Sequence, residues 1–145
     1  GFWNGVRTEA AQELDTFIST VYNGGGVDNV LLLGDMNAYA VEDPVQFLDD
    51  DAGYVDLIDA FIGQDVAYSY VFDGQRGTLD QGLADAAFAA NVIGVTEWHI
   101  NADEPDLINY DTSFNDPAFY NDGVYASSDH DPLIIGVEFD TLIFT

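Results

Sequence analysis

Three short polar groups carry residue types that hydrolytic chemistry uses. They are Asp35 and Asn37 in GDMN, Asp80 in TLDQ, and Asp129 with His130 in SSDHDP. Carboxylate and amide oxygens suit hard cations such as Mg²⁺, Mn²⁺ or Ca²⁺. A histidine beside a carboxylate suits general acid–base catalysis, because the carboxylate fixes the tautomer and stabilises the imidazolium. The pattern predicts an acid–base site that binds a divalent cation.

Each of the three groups also has a purely structural explanation. GDMN is typical of a turn, because Gly, Asp and Asn favour turns. An aspartate on a strand, such as Asp80, is often only solvent-facing, and SSDHDP is also typical of a loop cap. Their joint occurrence favours a common site, because the ends of core strands hold polar side chains rigidly at one rim.

The elements that position these groups follow from hydrophobic periodicity and turn signals. Helices are predicted at 8–23, 43–48 and 54–62, a brief helix or turn at 85–91, and strands at 30–33, 68–72, 77–83, 95–100 and 133–139. Thr8 is the expected N-cap of the first helix and Gly24–Gly26 its end. The run Val30–Leu33 is expected to be buried on both faces. Asp80 is expected in the second arm of a β-hairpin.

The segment between the last two strands is a long loop, 101–128, rich in Asp, Asn, Pro and Tyr. Loops of this length are usually functional or disordered. Its tyrosines Tyr110, Tyr120 and Tyr125 are expected to pack the loop down, with base stacking as the alternative. His99 alternates with Trp98 and Ile100, so we expect a buried, hydrogen-bonded side chain, with catalysis as the weaker reading.

Charge is the extreme feature of the composition. The 145 residues contain 27 acidic side chains against two basic ones, Arg7 and Arg76, and the net charge is -25. Acids scattered along a chain with a normal apolar content indicate a globular protein adapted to high salt, and an ordinary acidic secreted protein is the alternative. The absence of cysteine excludes disulfides and thiolate metal sites.

GDMN, Asp80 and SDHDPL in this order resemble the motif set of the endonuclease/exonuclease/phosphatase superfamily. The stretches WNGVR, LLLGDMNAYAVEDP, YSYVFDGQRGTLDQGLA and WHINADEP resemble its bacterial extracellular nuclease branch. The resemblance implies an α/β chain with the DNase-I-like α+β sandwich fold, secretion, and metal-dependent hydrolysis of nucleic acid. DNA is the implied substrate and RNA a second candidate. No membrane association is implied.

The resemblance also implies roles for the matching residues. Asp35 would orient or deprotonate the attacking water, and Asn37 would bind the scissile phosphate. Asp80 would act on the metal or the water, while Asp129 would bind metal or brace the histidine. His130 would contact the phosphate and assist proton transfer. The implied cofactor is Mg²⁺, or Mn²⁺ or Ca²⁺, held by Asp129, Asp35 and Asp80.

Two departures from the family pattern qualify this expectation. Gln81 stands where extracellular relatives commonly have histidine, which we expect to modify activity. Domains of the superfamily run to about 250 residues, and 1–145 matches only the C-terminal half. The other half, which supplies a metal-binding Glu, an Asn and a second catalytic His, would come from another segment or from a second copy of the chain. The alternatives are a phosphatase of the same superfamily and a non-catalytic half-domain or acidic assembly module.

Overall fold

The computed structural model of the chain describes residues 2–22, 28–113 and 115–139. The helices are α1 (Asn4–Phe17, continued by a π-helical turn at Ile18–Tyr22), α2 (Asp43–Gln46, continued at Phe47–Asp51), α3 (Leu57–Phe61) and α4 (Ala86–Ala89). The strands are β1 (Leu31–Asp35), β2 (Val55–Asp56), β3 (Tyr70–Phe72), β4 (Gln75–Gly77), β5 (Asp80–Ala84), β6 (Val92–Glu97) and β7 (Leu133–Val137). The mixed α/β class predicted from the sequence is confirmed.

The central sheet has the order β1-β5-β2, with antiparallel pairing throughout. Its register places Asp35 directly opposite Asp80 at one end of the β1–β5 pair. Two side chains of the predicted site are therefore brought together by strand pairing alone. Since residues directly opposite each other share a face, both carboxylates belong to the same side of the sheet.

The expected position of Asp80 in a hairpin arm is wrong. The hairpin is closed by Asp73 and Gly74, whose φ angles of 49° and 75° give a tight two-residue turn. Its arms, β3 and β4, are only three residues long and end at Gly77. The chain then passes into the central sheet, where Asp80 begins β5.

The core lies between the central sheet and the two N-terminal helices. Its buried members include Ala11 and Ile18 from the α1 segment, Val45 and Leu48 from the α2 segment, and Leu83 from β5. On the opposite face of the sheet, β7 packs against Gly82, where an added Cβ would lie 3.1 Å from Leu133 and 3.2 Å from Ile135. This close approach is possible because glycine has no side chain.

The run Val30–Leu33 forms a strand, as predicted, but it is not buried on both faces. Leu33 remains 53% exposed. β7 packs over Gly82 of β5 and does not cover the side chain of Leu33, the residue opposite Gly82 on β1. An apolar run thus indicated a strand correctly while overstating its burial.

The first helix begins earlier than Thr8. Trp3 occupies the N-cap position with a left-handed φ of 63°, and the Thr8 hydroxyl donates within the helix to the carbonyl of Asn4 at 2.9 Å. The expected end at Gly24–Gly26 lies outside the described residues. Within the described ranges, no helix combines the length and the apolar character needed to cross a bilayer.

The β6–β7 pair ends before His99. β6 stops at Glu97. The N–H of Trp98 still donates to the carbonyl of Pro132 at 2.9 Å, whereas the N–H groups of Ile100 and Asn101 donate to the carboxylate of Asp131. His99 lies outside the strands, just before a bend at Ile100, which corrects the strand position expected from its alternation with apolar residues. The long loop that follows forms single 3₁₀ turns at Asp106–Ile108 and Pro117–Phe119. Its tyrosines do not pack it down: the exposed fractions are 49%, 40% and 58%, in chain order, for Tyr110, Tyr120 and Tyr125.

Candidate active site

Asp80 and His130 form a hydrogen-bonded pair although they are fifty positions apart in sequence. His130 Nδ1 lies 2.6 Å from Asp80 Oδ2. Because a carboxylate only accepts hydrogen bonds, Nδ1 carries the proton and donates it to Asp80. Nε2 is then the nitrogen that can meet a substrate. The pair is largely enclosed, with exposed side-chain fractions of 20% for His130 and 17% for Asp80.

Ser69 holds the carboxylate of this pair in place. Its hydroxyl donates to Asp80 Oδ2 at 2.6 Å and accepts the backbone N–H groups of Leu79 and Asp80 at 3.2 and 3.1 Å. Ser69 is fully buried. Nothing in the sequence distinguished this serine, because its contacts join β5 to the segment before β3 and depend on tertiary packing.

Asp80, and not Asp129, braces the histidine. The sequence left Asp129 with two roles, metal binding or bracing, and the structure assigns the bracing contact to Asp80. Asp129 is exposed beside His130 and acts on it through charge. Adjacency in sequence was a poor guide here, because the contact to the His130 ring is made across fifty positions by Asp80.

The electrostatic surroundings favour the protonated form of His130. Burial alone would lower the pKa of its imidazole. The hydrogen bond to Asp80, the charge of Asp80, and the charges of Asp35 and Asp129 together outweigh burial, so the pKa of His130 is raised above its ordinary value of 6.5. The protonated imidazole is suited to bind a phosphate oxygen and to donate a proton.

The GDMN loop presents Asp35 and Asn37 beside this pair. The backbone N–H of Asn37 donates to Asp35 Oδ1 at 2.7 Å, and its side-chain amide donates to Asp35 Oδ2 at 3.2 Å. Asn37 adopts a left-handed φ of 49°, a conformation that asparagine tolerates better than most residues. The N–H of Met36 donates to the carbonyl of Leu79 at 3.0 Å, which fixes the loop next to the start of β5.

Gln81 connects the loop that carries Asn37 to the residues that precede Asp80. Its buried side-chain amide donates to the carbonyls of Ala38 and Thr78 at 3.0 and 2.9 Å. Its Oε1 has no hydrogen-bond partner among the described residues. Gln81 is thus a positioning residue by its contacts, and its modifying effect on activity stays a prediction.

A second histidine–carboxylate pair lies beside the first. The side chain of Asp131 is fully buried and accepts His99 Nδ1 at 2.8 Å. Its other oxygen accepts the backbone N–H groups of residues 100–102 at 2.9 to 3.1 Å. The N–H of Asp131 donates to the carbonyl of Ser69, and Asn101 donates to the carbonyl of His130. Asp131, which the sequence reading passed over, therefore anchors the segment that carries His130.

His99 is hydrogen-bonded as expected but only partly buried. Its ring stacks on Tyr68 with the centroids 4.0 Å apart and the planes 3° apart, while 35% of its side chain stays exposed. Arg76 lies over the other face of Tyr68, 4.3 Å from the ring centroid, and pairs with Asp103 at 3.2 Å. These contacts explain the position of His99 without a catalytic role.

The carboxylates of the site could bind a hard cation that keeps several water ligands, but they are too few to coordinate it completely. Within the described ranges, no group of three or more acidic or histidine side chains is close enough to hold a metal ion. Asp35 and Asp80 are cross-strand neighbours, but Asp80 Oδ2 is already engaged by Ser69 and His130. Mg²⁺ commonly binds one or two carboxylates and keeps several waters, so Asp35 with the second oxygen of Asp80 fits that habit. Asp129 stays a prediction as a metal ligand.

Four of the five predicted site residues are thus grouped by the fold through direct contacts or strand register. Asp35 and Asn37 share one loop, Asp80 lies opposite Asp35, and His130 is bonded to Asp80. Asp129 is the immediate chain neighbour of His130 and influences its charge state. Comparison of the chain with known protein families, curated proteins and solved structures gives no match.

Proposed function

We propose that this chain contributes to the metal-dependent hydrolysis of phosphodiester bonds in nucleic acid, with DNA as substrate and RNA as a second candidate. The observation that carries the proposal is the His130–Asp80 pair, held by buried Ser69 and placed beside the carboxylate of Asp35. At a phosphoryl centre held between them, an imidazolium can donate a proton to the leaving oxygen and a carboxylate can accept a proton from the attacking water.

The proposed reaction assigns one task to each side chain. His130 donates a hydrogen bond from Nε2 to a phosphate oxygen and releases its proton to the departing oxygen. Asp80 holds the imidazole and stabilises its charge. Asp35 orients the attacking water and accepts its proton, while the Asn37 side-chain amide binds a non-bridging oxygen. A divalent cation at Asp35 and Asp80, when bound, supplies further positive charge against the phosphate.

The proposal extends to a DNase-I-like half-sandwich and to secretion, both of which rest on the resemblance. Leu33, Ile93 and Ile134 lie on strands and are 53%, 67% and 45% exposed, which supports a further segment or a second copy of the chain as cover. Exposed apolar surface of this kind costs about 25 cal/mol per Å² until it is buried. In a sample that contains this chain alone, the proposed cover is a second copy, which also supplies the remaining metal ligand.

The test is cleavage of plasmid DNA in molar NaCl with Mg²⁺, with the mass of the protein measured in the same sample. We expect nicking that EDTA stops and that His130→Ala lowers by at least about a hundredfold, the usual contribution of a general acid. Circular dichroism establishes that the variant is folded. Hydrolysis of a phosphomonoester without hydrolysis of DNA would replace the nuclease proposal with the phosphatase.

A further inference from the structure

A row of aromatic rings runs from the His130–Asp80 pair along one side of the β3–β4 hairpin. The ring centroids of His130 and Tyr70 are 4.7 Å apart, with the planes tilted by 32°. Those of Tyr70 and Phe72 are 6.4 Å apart, with the planes 14° from parallel. Tyr70 and Phe72 are two positions apart on β3, so they project from the same face. The row therefore connects the reactive histidine to the hairpin tip.

A further ring joins this row from the loop that carries Asn37. Gly77 lies opposite Tyr70 in the hairpin register, so a Cβ there would project from the face that carries Tyr70. That Cβ would lie 2.8 Å from Cδ1 of Tyr39, closer than real carbon contacts allow. The ring of Tyr39 thus occupies the space that glycine leaves, on the same face as Tyr70. We call Tyr39, Tyr70 and Phe72 the aromatic row.

Two rings of the aromatic row are exposed to solvent and Tyr70 is half-buried, while the other face of the hairpin is partly covered by the long loop. Phe72 is 60% exposed and Tyr39 is 39% exposed. On the opposite face, Val71 lines a small cavity together with Asn101 and Ser128 of the long loop. Exposed rings that adjoin an enclosed polar site are available to a ligand that is already held by that site.

The charge of the chain limits how a nucleic acid can be held near His130. The chain has two basic side chains, and both are paired in the structure, Arg7 with Glu42 and Arg76 with Asp103. Ordinary phosphate binding by a basic surface is therefore weak here. Stacking of bases on aromatic rings does not depend on protein charge and accepts every base, since each has a π-face.

We propose that Tyr39, Tyr70 and Phe72 form a base-stacking subsite for unpaired nucleotides adjoining the phosphate that meets His130. The identity of the ligand rests on the proposed function. Bases in a duplex are stacked on each other and cannot lie on the rings without opening the helix. The favoured substrate is accordingly single-stranded nucleic acid.

The experiment compares two short end-labelled oligomers in molar NaCl with EDTA, which removes the divalent cation that the proposed cleavage needs. One is oligothymidylate, and the other has the same backbone with a tetrahydrofuran in place of every base. Fluorescence anisotropy should show about tenfold tighter binding of oligothymidylate by the unmodified chain. Phe72→Ala should remove most of that difference, and Gly77→Ala, which displaces Tyr39, should remove part of it. The matched control is Phe119→Ala, which deletes a ring that is 50% exposed in the long loop.

Equal affinities for the two oligomers, or an unchanged preference in Phe72→Ala, would overturn the stacking subsite. Cleavage with Mg²⁺ separates this outcome from failure of the proposed function. His130→Ala should stop cleavage of both oligomers. Phe72→Ala should raise the KM for oligothymidylate and leave the KM for the base-free oligomer unchanged. If neither oligomer is cleaved, the proposed function fails while the binding comparison still decides the subsite.

Discussion

Replacement of Asp131 with alanine removes the acceptor of four hydrogen bonds in one step. Oδ1 accepts the N–H groups of residues 100–102, and Oδ2 accepts His99 Nδ1, while the side chain itself is fully buried. A hydrogen bond to a charged group contributes about 1.5–3 kcal/mol, and such contributions are not additive. Two of the three amides are only partly buried and can reach water after the change. The N–H of Asn101 stays buried and loses its acceptor outright, which costs about 1–3 kcal/mol for an unsatisfied donor. With the weakened contacts of its neighbours we expect a loss of about 3 kcal/mol.

The assay is guanidinium unfolding in molar NaCl, followed by tryptophan fluorescence. Asp131→Asn keeps an oxygen for the three amides and should lose about half as much free energy of unfolding, because only the charge and the His99 contact change. The control is Asp111→Ala, which removes the contacts of a fully exposed carboxylate to Ser113 in a turn and should leave the midpoint unchanged. A loss below about 1 kcal/mol in Asp131→Ala, the size of an average substitution, would refute the anchoring role.

Three further predictions follow from the pKa directions and the charge. In Asp80→Asn, the pKa of His130 should fall towards 6.5, because the carboxylate that offsets the effect of burial is gone. NMR titration of the His130 ring measures this pKa, and an unchanged value would contradict the pairing with Asp80. The raised pKa of His130 stabilises the fold below pH 6.5, and the stabilisation is lost as pH rises through the raised value, so Asp80→Asn should destabilise the chain most at acidic pH. Burial raises the pKa of Glu97, whose Oε1 has no hydrogen-bond partner among the described residues. The ionisation of Glu97 therefore lowers the free energy of unfolding above pH 4.5. Glu97→Gln should raise Tm at neutral pH and change it little at acidic pH. An equal Tm for the two proteins at neutral pH would count against this. Lowering NaCl from molar to millimolar should lower Tm, because the 27 acids repel one another, and a flat Tm would remove the salt-adaptation hypothesis.

Local patterns predicted the elements that depend on local signals. Asp43 and Pro44 indicated α2, and the alanine-rich run after Asp85 indicated α4, which Asp85 caps by accepting the N–H of Phe88. The apolar run before GDMN indicated β1 and so placed Asp35 at a strand end. Each of these signals acts over a few residues, where capping and turn chemistry decide the outcome.

The contacts that build the site could not be predicted in the same way. The partner of His130 is Asp80, fifty positions away. Ser69 brings the two together, because its hydroxyl contacts Asp80 and its carbonyl accepts the N–H of Asp131. The end of β6 is set by Asp131, whose carboxylate takes the amides that an extended strand would have used. Long-range contacts can override local propensity, and the local sequence pattern does not show which residues will make them.

The most direct test of the central claim is the rate at which supercoiled plasmid is nicked in molar NaCl with Mg²⁺, measured side by side for the unmodified chain and His130→Ala. The account predicts Mg²⁺-dependent nicking by the unmodified chain and its loss in the folded variant. Equal nicking by both proteins, or no nicking by the unmodified chain, would contradict the assignment of phosphodiester hydrolysis to the His130–Asp80 pair.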